Sequence, residues 1–352
     1  MIENKDLIRN SKVIVMLGAG GVGKTTSAIV IALAAAQLGK RVALLSIDPA
    51  KRLAAALGIP LSNDLATLSI PQKYGITGSV AAAMLDQKAV FDQMVDRHAP
   101  TRDAAIRIKA NSIYRAASTN LGGPLEYMAL AKLQDLSADA RYDLVVLDTP
   151  PDTHALDFLA RPNVLDGFME TRVMNWLVRP FLVAGRLGLG KLLSASERLM
   201  GGMARVSGVE PLRLFAEFLV LMQDVIEGFH KSGEATAELL QRPSTRFILV
   251  SIPTHTARRS VENITRQLRE LSYKPELLLV NRCLPEAVTA DLLSQEQDHQ
   301  LATYVLKANG QREVIEKLVS LAPNIWRLPE REHDPGDLAG LMDLVAALSH
   351  QK

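Results

Sequence analysis

Gly18-Ala19-Gly20-Gly21-Val22-Gly23-Lys24-Thr25-Thr26 is the stretch on which the fold turns. It follows the apolar run Val13–Leu17 and opens the helix-prone run Ser27–Leu38. A buried strand, a glycine turn and a helix start, in that order, are the parts of a phosphate-binding loop. Glycines let backbone amides crowd around a triphosphate, and the helix start adds partial positive charge. Residues 18–25 fit G-x-x-x-x-G-K-[ST] without a mismatch. Lys24 is expected to reach the β- and γ-phosphates, and the Thr25 hydroxyl to ligate Mg²⁺. The stretch predicts a nucleoside triphosphate site lined by Gly20, Gly21, Val22, Gly23, Lys24, Thr25 and Thr26.

Outward from this loop, strand signals recur with helix-length spacing: Val42–Ile47, Leu144–Leu147, Phe247–Ser251, Leu277–Val280 and, more weakly, Ile325–Leu328. Most are continuous apolar runs, as in parallel strands covered on both faces. Their alternation with helices predicts an α/β fold, a doubly wound and mostly parallel sheet whose ligand lies beyond the carboxyl ends of the strands. Residues 163–230 break the pattern, and the insertion they mark is bounded at 163–243. This stretch carries Trp176, five methionines (Met169, Met174, Met200, Met203, Met222) and arginines at 172, 179 and 186, and reads as helical with little strand character. Glycines at 185, 188, 190, 201, 202 and 208 weaken helices there. The expected organisation is a nucleotide-binding core in two parts, 1–162 and 244–352, with a helical insertion between them.

Two further strand ends carry carboxylates. The second strand runs into Ser46-Ile47-Asp48-Pro49-Ala50-Lys51-Arg52, where Asp48 could orient an attacking water or, more simply, cap the next helix. The third ends in Asp148-Thr149-Pro150-Pro151-Asp152-Thr153-His154; apolar residues followed by Asp form the Walker B pattern, which holds the Mg²⁺ shell.

Composition narrows the function classes. A net charge of +2 over 352 residues, with no sustained basic block, argues against a nucleic-acid surface. The single cysteine, Cys283, excludes an intrachain disulfide and a cysteine-built metal cage or iron–sulfur cluster within one chain. Met1–Asn10 is polar, and the longest apolar run, Ala28–Ala36, is too short to span a bilayer. The expectation is a cytoplasmic protein without stable membrane insertion. Leu338–Leu348 has an apolar face but almost no flanking positive charge for a membrane surface.

The three loops, in their order and spacing, resemble those of the ArsA-type ATPases, the family of the arsenical pump-driving ATPase and the targeting factor for tail-anchored membrane proteins. The family's deviant Walker A loop reads G-K-G-G-V-G-K-T-T, its first switch D-P-A and its second D-T-A-P-x-x-H. Here these are residues 18–26, Asp48-Pro49-Ala50 and residues 148–154, followed by Leu156-Asp157-Phe158-Leu159. Val280-Asn281 is similar to the family's adenine-side pair, and Leu328-Pro329-Glu330 to its loop after the last strand. Ala83–Asp86, Ala110-Asn111 with Tyr114-Arg115, and Glu126–Ala129 resemble a bacterial branch of the family. The resemblance implies that Asp48 positions the hydrolytic water, Thr25 ligates Mg²⁺ and Asp148 lies in the metal's second shell. It also implies that Thr26 meets the α-phosphate, and that Asn281 and Pro329 serve the adenine side.

Three departures qualify it. Ala19 stands where the family has its signature lysine, which in a dimer reaches the partner's phosphates. A cation at the γ-phosphate is worth orders of magnitude in rate, so turnover is expected to be slow unless Lys51 or Arg52, or a lysine-bearing sister chain in a heterodimer, replaces it. The cysteines that bind arsenite in the pump ATPase have no counterpart, nor do those that bridge a dimer through zinc. The leading expectation is a Mg-dependent, ATP-hydrolysing dimeric switch whose helical insertion handles an apolar or tail-anchored client helix. The alternative is a weakly hydrolysing, nucleotide-sensing subunit of a heterodimer. A positioning ATPase of the ParA or MinD kind shares the loop but calls for a basic face that the chain lacks.

Overall fold

A computed structural model describes residues 4–47, 52–112, 114, 115, 118, 125–150, 209–284, 299–331 and 335–349. Asp48 to Lys51, Asp152 to Leu159, the arginines at 172, 179 and 186, and Met169, Met174, Met200 and Met203 lie outside the described residues. The chain divides into two compact units, Met1–Leu85 with Ala129–Ala160 and Ala237–Lys352, and Asp86–Met128 with Arg161–Thr236.

The first unit is built on an eight-stranded sheet. Its strands are β1 (Val13–Leu17), β2 (Arg41–Ser46), β3 (Ala66–Thr67), β4 (Ser79–Met84), β5 (Leu144–Asp148), β6 (Thr245–Ser251), β7 (Pro275–Cys283) and β8 (Ile325–Pro329), in the order β3-β4-β2-β5-β1-β6-β7-β8. Every neighbouring pair is parallel except β3 with β4. The expected α/β sheet is thus present, and the strand run Val13–Leu17 lies at its centre with all five residues buried. From β1 the chain winds one way to β2 and β4 and, after β5, the other way to β6, β7 and β8, so β1 flanks the point where strand order reverses. That is where doubly wound sheets bind ligands.

Helix α1 (Asn4–Arg9) precedes β1, and α2 (Lys24–Gln37) follows it. The run Ala28–Ala36 of α2 is buried on every side, which is the fate of a helix without a polar face. One partner is the last helix (Leu338–Ser349), whose Leu341, Leu344, Val345 and Leu348 share a core with α2. Its apolar face is therefore spent on the protein's own core, each buried Leu or Val contributing roughly 1.5–3 kcal/mol. No described helix is long and apolar enough to cross a membrane.

Two strands escape the sequence reading. β4 contains Ala81-Ala82-Ala83, residues of high helix propensity, yet it pairs with β2 from Arg41↔Ser79 to Ser46↔Met84 and is buried from Val80 to Met84. Long-range pairing overrides local preference there. β3 is only two residues long and closes the edge antiparallel.

The described residues of the second unit are helical. The sequence pattern set apart 163–243 alone, whereas this unit also contains Asp86–Met128. The reason is local packing among helices that carry no strand signal to mark them. Helix α4 (Gln87–His98) is capped by Asp86, which accepts from the Ala89 amide at 2.7 Å, and α5 (Arg102–Ala110) is capped by Thr101. The fully buried Tyr114 donates its hydroxyl to Asp92 of α4 at 2.6 Å, and its ring lies 5.5 Å from Phe91. Asn111 accepts from the Tyr114 amide, and Arg115 donates to the Ala110 carbonyl at 2.8 Å. Asp86, Asn111, Tyr114 and Arg115 thus cap and cross-link this unit. A 33-residue helix, Val209–Gln241, follows, and the His98 ring occupies the space a side chain at Gly228 would need. Met222 is buried in it, a core residue.

Candidate active site

Three parallel strands of the first unit end together at one edge. β1 hands over to the glycine loop, β2 ends at Ser46, and β5 ends at Asp148, which pairs with Met16 on one side and Ser46 on the other. The register brings a loop hydroxyl, a strand hydroxyl and a carboxylate together. Thr25 Oγ1 donates to Asp148 Oδ2 at 2.8 Å, and Ser46 Oγ donates to the same oxygen at 2.9 Å. Asp148 is fully buried. A buried carboxylate is costly unless hydrogen-bonded, and here two hydroxyls serve that need. Thr149 fixes the strand end by donating its hydroxyl to the Met16 carbonyl at 2.7 Å.

The loop is shaped by close approaches. Gly23 caps α2 with φ 90°, and a Cβ at this position would run into the amide of Asn281. A Cβ at Gly18 would run into the Val250 carbonyl of β6. Only glycine satisfies both contacts. Gly20 and Gly21 form the exposed tip, while Val22 is buried. Lys24, also buried, folds back and donates to the carbonyls of Gly18 at 2.7 Å and Ala19 at 2.9 Å. Thr25 and Thr26, half-buried, make up the first helical turn with it.

The start of α2 differs from those of three other helices. α4, α5 and the helix His255–Glu270 begin at Asp86, Thr101 and Thr254, each of which accepts a backbone N–H three residues on. Gly23 offers α2 no side-chain cap. A helix start without a side-chain cap is a favourable place for an anion, because the helix dipole and the first-turn N–H groups face it.

The donor set also suits Mg²⁺. The cation takes hard oxygen ligands, typically one or two from protein beside phosphate oxygens and water. The Thr25 hydroxyl is such a ligand, and the Asp148 carboxylate, 2.8 Å behind it, orients it and can hold the metal's waters.

On the adjoining strands, Asn281 near the end of β7 is buried, and Pro329 at the end of β8 pairs with Cys283. Asn281 Nδ2 donates to the Val22 carbonyl at 3.0 Å. The Glu330 amide donates to the Cys283 carbonyl at 2.7 Å, and the Glu330 carboxylate pairs with Lys307 at 3.0 Å. Burial pushes the Cys283 thiol up to about 12 and leaves it a packed, unreactive side chain. Asp48, expected beside the site, lies outside the described residues; Arg52 opens helix α3 (Arg52–Leu57) on the surface.

Sequence reasoning missed Ser46 and Thr149. Each is a hydroxyl that ends, or directly follows, an apolar strand beside the loop, and that position was the available signal.

A glycine loop between a central parallel strand and an uncapped helix, with a buried lysine, a threonine and a Walker B aspartate converging on it, defines the class of P-loop nucleoside triphosphatases. The family follows from comparison: the model of the anion-transporting ATPases (ArsA ATPase) matches residues 11–308. The chain belongs to that family and is an ATPase. Similar proteins include ATPase ASNA1 homolog 1 of Paramecium tetraurelia, 23% identical over 100% of this chain and 95% of its own length. ATPase ASNA1 homolog of Dictyostelium discoideum is 26% identical over 85% of this chain and 80% of its own length. ATPase get3 of Aspergillus terreus is 24% identical over 76% of this chain and 72% of its own length.

Proposed function

We propose that the chain is a Mg-dependent, ATP-hydrolysing dimeric switch that couples nucleotide state to its helical unit. The observation that carries the reading is the convergence of Lys24, Thr25, Ser46 and Asp148 on one strand-end cluster beside an uncapped helix start. When ATP enters, Lys24 exchanges the Gly18 and Ala19 carbonyls for β- and γ-phosphate oxygens. Thr25, with Asp148 behind it, would hold the Mg²⁺, which would supply charge neutralisation at those oxygens. Asp48 orients the attacking water. Asn281 and Pro329 flank the base. The client of the helical unit is an apolar helix, a tail-anchored segment among the candidates, and the protein acts in the cytoplasm.

A second reading is favoured by Ala19, which supplies no cation across a dimer. In it the chain is a slow, nucleotide-sensing subunit that pairs with a lysine-bearing sister. Molar mass in solution, measured with and without Mg·ATP alongside phosphate release, separates the two. A nucleotide-dependent homodimer with turnover that Asp48→Asn abolishes supports the switch. A monomer that binds ATP without turnover supports the sensing subunit. A chain that binds no ATP rejects both.

A further inference from the structure

The phosphate loop is braced at two places by strands outside the β1–loop–α2 motif, and the two braces differ in kind. At Gly18 the brace is backbone, the Val250 carbonyl of β6. At the other end it is one side chain, Asn281, 259 residues away in sequence from the Val22 carbonyl to which its Nδ2 donates. The same amide occupies the place of a missing side chain at Gly23. Its other end is committed too, because Asn281 Oδ1 accepts the Arg282 N–H at 3.0 Å. Both partners are backbone groups of fixed polarity, a carbonyl and an N–H, so only one orientation of the amide satisfies them.

The segment that presents Asn281 is held in an uncommon conformation. Arg282 has φ 58°, a left-handed geometry that bulky residues seldom adopt, and the β7–β8 register shifts between Val280 and Cys283. Such a conformation persists only where its surroundings enforce it. Gln311, on the helix His299–Leu318, donates Nε2 to the Arg282 carbonyl at 3.4 Å and accepts the Leu284 N–H at 2.9 Å. A continuous chain of hydrogen bonds therefore runs from Gln311 through Arg282 and Asn281 to Val22. Pre-set donors around a phosphate do their work without reorganising on binding, which requires the loop to be held before the ligand arrives.

We infer that Asn281 is a positioning residue for the phosphate loop, held in that role by Arg282 and Gln311, whether or not its remaining N–H and lone pair also meet a base. The inference rests on the nucleotide reading above. It predicts that Asn281 governs affinity for a ligand with no base at all.

The test is equilibrium binding of inorganic tripolyphosphate and of ATP, both with Mg²⁺, to the full chain and to Asn281→Ala, Asn281→Asp and Gln311→Ala. Thermal unfolding is recorded on each sample. Asn281→Ala weakens both ligands by a similar factor, about tenfold, the worth of one lost hydrogen bond. Asn281→Asp, which sets a carboxylate oxygen against the Val22 carbonyl, weakens both at least as much. Gln311→Ala weakens both by about threefold, and decides the matter should the Asn281 variants lack a cooperative unfolding transition. Loss of ATP affinity with tripolyphosphate binding intact overturns the inference and leaves Asn281 a base contact only. A lowered unfolding temperature with both affinities unchanged also overturns it. A wild-type chain that binds neither ligand rejects the nucleotide reading itself, so the two failures are told apart.

Discussion

The two ends of the central sheet use the same side-chain chemistry to opposite effect. At the amino ends of β1, β2 and β5, Lys12 donates to the Tyr142 carbonyl at 3.0 Å, Lys40 to the Ser11 carbonyl at 2.7 Å, and Arg41 pairs with Asp143 at 2.7 Å. At the carboxyl ends of the same strands, Lys24 donates to two loop carbonyls and Asp148 takes two hydroxyls. A lysine on a carbonyl and a paired aspartate therefore do not make a site. At the amino ends the Lys12 and Arg41 contacts tie β1 and β2 to β5 between them, and Lys40 reaches across β5 to the start of β1. At the carboxyl ends the groups are buried and converge on a glycine loop and an uncapped helix start, where exchange of partners for a ligand is chemistry rather than unfolding.

The sharpest way to break this contrast is Gly23→Ala. The substitution forces a side chain into a left-handed backbone and into the Asn281 amide. It should abolish measurable ATP binding in titration calorimetry and lower stability by at least about 1–2 kcal/mol. Unchanged binding would mean that the loop is not the phosphate cradle. Asp148→Asn comes next. It leaves the fold in place but weakens the metal's hold, so the Mg²⁺ concentration for half-maximal phosphate release should rise by roughly 10–100-fold. No shift in that midpoint would remove Asp148 from the metal's surroundings.

The smallest effect belongs to the other end of the sheet. Asp143→Asn should leave turnover unchanged and cost less than about 1 kcal/mol in denaturant unfolding, since the Arg41 pair is half exposed. Hydrogen bonds from Arg41 hold the Asp143 carboxyl well below the usual carboxylate range. Its stabilisation is thus complete above about pH 4 and lost only as pH falls through the depressed folded value. The gap between wild type and variant should be flat from about pH 5 to 8 and close in strong acid. A gap that varies across neutral pH would contradict the assigned pair.

The carboxyl-end site was largely legible in the sequence because a phosphate loop is a local object, with strand, turn and helix start contiguous from Val13 to Gln37. Asp148 was legible for a related reason, an aspartate closing an apolar run. What could not be read was whatever depends on pairing between distant segments. The alanines of β4 look helical until β2 lies beside them. Ser46 and Thr149 become site residues only through the register that sets them against Asp148 and Met16. The contact between Asn281 and Val22 spans nearly the whole domain in sequence, and the family resemblance pointed Asn281 toward the base rather than the loop. The helices of 86–112 carry caps and amphipathic faces like any others, so nothing in their pattern assigned them to the second unit.

The most direct test compares two lysines on one preparation: steady-state phosphate release from Mg·ATP by the wild type, Lys24→Ala and Lys40→Ala. Each lysine donates to main-chain carbonyls, and burial holds the Lys40 ammonium below the usual lysine range. The account predicts that Lys24→Ala loses turnover by at least about a hundredfold. Lys40→Ala should keep wild-type turnover and lose about 1 kcal/mol of stability. Equal rates in Lys24→Ala and the wild type would contradict the claim that the carboxyl-end cluster is the ATPase site.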